Sequence, residues 1–178
     1  TLTGKSANQS AMTVSGTIIF SDASANQISL ATTTTTFTLS SGATLKTINT
    51  SGVSGTNCSI GGTGIVTLST GANYEFNGTS NQATAGLPAT VNNLTINNSS
   101  SAIVNLGGNV SVTGSFTVNA NSIINCGTNT VNGAGAATIN GTLKTANTSG
   151  LIGSSTTLST THSSLTLGST STIEYNSA

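Results

Sequence analysis

The 178 residues carry three Lys, three acidic side chains and one His, with no Arg and a formal net charge of zero. So few charges exclude a nucleic-acid partner, which needs clustered Lys and Arg to replace counterions, and also a basic membrane-surface patch. Thr, Ser and Asn make up about half the chain, Gly adds 21 residues, and no apolar run approaches the roughly 20 residues of a membrane span.

Thr1 brings neither an initiating Met nor a signal-like segment, so the chain reads as a mature product or a piece of a longer protein. A first Gly-led, β-branched run is Gly16-Thr17-Ile18-Ile19-Phe20. The Thr32–Thr36 tract follows, then Gly42-Ala43-Thr44-Leu45 and Gly71-Ala72-Asn73-Tyr74, at steps of 26 and 29 residues between the glycines. Pro88, the single proline, falls in a loop-like segment. Alternation resumes at Val110-Ser111-Val112 and Gly114-Ser115-Phe116-Thr117-Val118, and the glycines at 141 and 168 continue at steps of 27. Leu165-Thr166-Leu167 alternates in the same way. Apolar residues alternating with Thr and Ser between Gly and Asn punctuation mark many short strands, and no stretch has helical spacing. The chain reads as all-β.

A longer rhythm lies over the short one. Leu45-Lys46-Thr47-Ile48-Asn49-Thr50-Ser51-Gly52 returns as Leu143-Lys144-Thr145-Ala146-Asn147-Thr148-Ser149-Gly150. Tyr74-Glu75-Phe76 returns as Ile173-Glu174-Tyr175, and Thr13-Val14-Ser15-Gly16 as Ser111-Val112-Thr113-Gly114. The unit is therefore 98 to 99 residues long: 1–98 form a first full unit and 99–178 a second, incomplete one. Together with the shorter step this predicts a parallel β-solenoid (β-helix), one continuous rod with about four rungs per unit. Six or seven rungs stacked about 4.8 Å apart give a rod roughly 30 Å long. The competing architecture is a tandem of immunoglobulin-like β-sandwiches of about 100 residues each. The absence of Trp and a total of six aromatic residues weigh against it.

Four of the six charges recur as two equivalent pairs, Lys46 with Glu75 and Lys144 with Glu174, about one rung apart in each copy. They are expected to form inter-rung charge pairs with a structural role. Glycoside hydrolysis needs two carboxylates about 5 to 10 Å apart, whereas the two Glu lie a whole unit apart. His162 has no evident Asp partner for a nucleophilic triad. Calcium asks for several carboxylates per site, and zinc for paired Cys or His at short spacing. No catalytic residue, metal ligand or cofactor site is expected, and the chain is read as a non-enzyme. Cys58 and Cys126 fit either two small buried hydrophobes or a disulfide in an exported protein. Thr32–Thr36 raises the alternative of a glycan- or ice-binding Thr/Asn-rich face. The corresponding Asn125-Cys126-Gly127-Thr128-Asn129-Thr130 breaks such an array.

Two phrases carry a family resemblance. One is Tyr74-Glu75-Phe76-Asn77-Gly78-Thr79-Ser80-Asn81-Gln82 with Gly86-Leu87-Pro88-Ala89-Thr90-Val91-Asn92-Asn93-Leu94-Thr95-Ile96-Asn97-Asn98; the other is Ile124-Asn125-Cys126-Gly127-Thr128-Asn129-Thr130-Val131 with Gly133-Ala134-Gly135. They resemble the repeat regions of large Bacteroidetes cell-surface adhesins and filament proteins exported by type IX secretion. The resemblance implies a secreted, extracellular structural protein: a stalk or adhesive filament segment at the cell surface. A second alternative is a self-assembling filament subunit stacking end to end. The expected partners are neighbouring repeats of the same chain or identical chains, together with surface glycans. No nucleic acid and no membrane insertion are expected.

Overall fold

The computed structural model describes residues 10–99 and 101–176, so Lys5 lies outside the described residues. Among them are twenty strands and no helix, and every strand pairing is parallel. The fold is a parallel β-solenoid. Immunoglobulin-like sandwiches are built from antiparallel sheets, so that alternative does not hold.

The chain climbs through seven rungs. The first holds β1 (Ala11–Val14), β2 (Thr17–Phe20) and β3 (Ile28–Leu30); the second β4 (Thr36–Leu39), β5 (Thr44–Thr47) and β6 (Ile60–Gly62). The third has β7 (Ile65–Leu68), β8 (Asn73–Phe76) and β9 (Gln82–Ala83). In the fourth and fifth, β10 (Thr90–Ile96) and β12 (Val110–Val118) each run through a corner, followed by β11 (Ile103–Asn105) and β13 (Ile123–Asn125). The sixth comprises β14 (Val131–Asn132), β15 (Ala136–Ile139) and β16 (Thr142–Thr145). The seventh comprises β17 (Ile152–Gly153), β18 (Leu158–Ser159), β19 (Leu165–Leu167) and β20 (Thr172–Tyr175).

Three faces result. The first begins as the ladder β1-β4-β7; the second carries β2, β5, β8, β10, β12, β15 and β19; the third carries β9, β11, β13, β16 and β20. On the second face the register is continuous from Thr17 through Thr44, Asn73, Asn93 and Ser115 to Ala136. Four rungs thus separate Thr17 from Ser115, 98 positions on, which is the period of the sequence repeat.

The rungs are uneven. Successive partners on the second face stand 27, 29, 20, 22 and 21 residues apart, and Ala137 to Leu165 adds 28. The steps of 27 from Gly114 to Gly141 to Gly168 therefore do not trace one column. Gly114 precedes the second-face part of β12, whereas Gly141 precedes β16 on the third face. The middle rungs are shorter because β10 and β12 bend through the first corner without a turn. A register shift between Val91 and Asn93 absorbs that bend, as a bulge does.

Alternation sets what is inside. In β4, β5, β8, β15 and β16 every second residue is buried, because successive side chains leave a strand on opposite faces. The second face contributes the inward column Ile18, Leu45, Tyr74, Leu94, Phe116, Ala137, Leu165. Bulky Phe116 is followed by small Ala137, so the column fills without overpacking. Five of the six aromatics lie in this core; Tyr175, on the seventh rung, is 63% exposed.

Candidate functional site

Both predicted charge pairs join adjacent rungs. Lys46 Nζ lies 2.7 Å from Glu75 Oε2, and Lys144 Nζ lies 3.0 Å from Glu174 Oε2. They do not sit on the same side of the rod. Lys46 and Glu75 face each other on the second face (β5 and β8), Lys144 and Glu174 on the third (β16 and β20). The copies of this strand are alike in sequence yet displaced by one face, since a short Φ-x-Φ strand fits any side of a solenoid. All four charges are tied to structural partners, and Asn97 Nδ2 also donates to Glu75 Oε1 at 3.0 Å.

The segment after each Lys builds a buried polar knot. Thr47 Oγ1 meets Ser59 Oγ at 2.7 Å and accepts from the Asn49 backbone N–H at 2.9 Å, while Asn49 Oδ1 accepts from the N–H groups of Ser51 and Gly52. The second copy repeats this with Thr145, Thr157, Asn147 and Ser149. Backbone conformation repeats too: Gly52, Gly55 and Asn57 have positive φ, as do Gly150, Gly153 and Ser155. The most alike stretch of the two copies is thus a turn whose side-chain hydrogen bonds close on its own backbone. Gln82 fastens the first knot to the third rung by donating to the carbonyls of Thr47 and Asn49 and accepting from Gly78 N–H.

Both ring nitrogens of His162 meet backbone carbonyls. Its Nδ1 lies 2.7 Å from the Gly135 carbonyl oxygen and its Nε2 3.0 Å from that of Val131, so the ring clamps the seventh rung onto the sixth. Among the described residues no group of three His, Cys, Asp or Glu is placed to hold a metal ion. Cys58 and Cys126 are free and buried, in the second and fifth rungs. Three rung spacings, about 14 Å, exceed disulfide reach, which excludes the disulfide reading within one chain. Burial pushes both thiols up, Cys126 to about 12.

Of the Thr32–Thr36 tract only Thr36 joins a ladder, as the first residue of β4, where it pairs with Ala11 and Ile65. Thr35 N–H and Thr35 Oγ1 both bond the Thr32 carbonyl, making a corner turn before β4. A regular array lies elsewhere. On the outer side of the second face Thr95, Thr117, Thr138 and Thr166 stand in direct register over four consecutive rungs. Asn93, Ser115 and Ala136 form one flanking row; Asn97, Asn119 and Asn140 form the other, where Asn119 Nδ2 donates to Asn97 Oδ1 at 2.8 Å. The signal was present in the pentapeptides 93–97, 115–119 and 136–140, each with Thr at the centre and Asn at the end. Their spacings of 22 and 21 residues lie outside the 26-to-29 step, so the Gly-led rhythm passed over them.

A neutral cleft of about 530 Å³ opens beside the seventh-rung loop, lined by Asn109, Thr130, Asn132, Asn147, Thr148 and Thr156 among others. Its walls offer hydroxyls and amides and no titratable group. Comparison of the chain with known protein families, curated proteins and solved structures returned no match.

Proposed function

We propose that this chain is a stalk or adhesive filament segment of a large, repetitive extracellular protein at the cell surface. The observation that supports the reading most is the uninterrupted second-face ladder, which runs through all seven rungs under a nearly uncharged Thr/Ser/Asn surface. Such a rod gains length by repetition, each rung contacting only its neighbours. A surface almost free of charge has little for salt to screen.

The neighbours in this reading are further rungs of the same kind, from the same chain or an identical one. Tyr175 is 63% exposed, while its counterpart in the repeat, Phe76, is fully buried between Thr47 and Ile96 of adjoining rungs. A stacked rung would bury Tyr175 in the same way.

The test is labelling of intact, unpermeabilised source cells with an antibody raised against this chain. Surface labelling that disappears when type IX secretion is disabled is the expected result. Labelling obtained only after permeabilisation would sink the proposal.

A further inference from the structure

We infer that the outer side of the second face over the fourth to seventh rungs is an ice-binding surface. Its centre is the row Thr95, Thr117, Thr138 and Thr166, held in register by backbone pairing rather than by loops. Rungs repeat about every 4.8 Å, so the four Thr side chains stand in one row at that fixed interval, flanked by rows of mixed composition. That interval is close to a repeat of water oxygens along a prism face of ice.

Three further observations favour a crystalline ligand. The four Thr hydroxyls have no protein hydrogen-bond partner among the described residues, and none is a buried orphan, so each is open to solvent. Beneath them Leu94, Ile96, Phe116, Val118 and Ile139 are all fully buried, which makes the platform rigid. The rows carry no charge; the Lys46–Glu75 pair closes the Thr column at its lower end. A soluble ligand needs one set of contacts, whereas a lattice rewards the same group repeated at a fixed interval. A crystalline polysaccharide would be gripped by aromatic rings stacked on sugar faces, and this face has none: Phe116 points into the core.

The proposal does not depend on the stalk reading, because it concerns one face of the folded chain. The test uses the purified chain in two assays, shaping of a single growing ice crystal and inhibition of recrystallisation in frozen sucrose solution. The wild type should facet ice and keep grains small. The double variant T117Y/T138Y should lose both activities at equal concentration, while T36Y/T38Y on the first face should keep them, with circular dichroism confirming that both variants fold. Unfaceted ice with the wild type overturns the inference, as does full activity in T117Y/T138Y. Retention on crystalline cellulose or chitin without any effect on ice overturns it in favour of a polysaccharide surface. None of these outcomes bears on cell-surface labelling.

Discussion

At Gly52 the backbone has φ +128, and an added Cβ would stand 2.5 Å from the backbone nitrogen of Ala85 in the rung above. Its repeat counterpart, Gly150, also has positive φ, +99, yet a Cβ there would meet nothing within 4 Å. The two positions separate conformational strain from steric exclusion. Gly150→Ala should cost about 1 to 2 kcal/mol, the cost of placing an L side chain in this region. Gly52→Ala should cost distinctly more, because backbone of the next rung must also move. Urea denaturation of the two variants checks the order, and equal losses would show that the rung contact is soft. The buried hydroxyls follow the same residue-level logic. Thr47 occupies a core column between Phe20 and Phe76, where a lone hydroxyl would be costly, and is tolerated because Ser59 and the Asn49 N–H satisfy it.

The element that matters most is the single short strand, and its portability explains why two near-identical copies occupy different faces. Thr44-Leu45-Lys46-Thr47 and Thr142-Leu143-Lys144-Thr145 share the burial pattern of alternate residues, so each drives Leu and Thr inward and Lys outward wherever it lands. Which side of the rod it lands on follows from the lengths of the corners before it, and those differ between the copies. The charge pairs add little to this. Lys46 and Glu75 keep 34% and 15% of their side chains exposed, so the pair lies between the exposed limit of about 1 kcal/mol and the larger cost of stranding a buried charge. Lys46→Met should lower stability by about 1 to 2 kcal/mol, since Glu75 retains Asn97 as a donor. A loss above about 2 kcal/mol in denaturant titration would show instead that the pair sets the register of β5 on β8.

For the molecule as a whole, the dependence of stability on pH is unusual because the chain has only three carboxylates. Asp22, held low by hydrogen bonds from Ser24, contributes above the ordinary carboxylate range and loses that contribution as pH falls through its own lowered value. On the alkaline side the sign reverses. Burial pushes the Cys126 thiol from 9.0 to about 12 and also raises Tyr74, so the folded state keeps protons that the unfolded chain releases. Their stabilisation is complete below about pH 9 and is lost as pH rises toward 12. The ceiling for Cys126 alone is about 4 kcal/mol. Melting temperatures should be nearly level from neutrality to pH 9 and then fall, and Cys126→Ala should make the fall shallower. A fall of unchanged steepness in that variant would place the alkaline sensitivity elsewhere.

Much of this architecture was legible in the chain. Period-two alternation of Val, Ile, Leu and Phe with Thr and Ser dictates short strands with one buried side, and the 98-residue repeat dictates stacked rungs, because both are local regularities that survive in one dimension. The Lys-Glu pairs were readable for the same reason, being one rung apart in each copy. Tertiary structure alone decided the length of each rung, the face on which each copy falls, and the Thr row from 95 to 166. Those depend on how far the chain travels around each corner, and corner geometry comes from hydrogen bonds between distant residues, such as Gln82 to Thr47 and Asn49 or His162 to Val131 and Gly135. Register between rungs is a long-range quantity, and it brought three scattered pentapeptides side by side on one face.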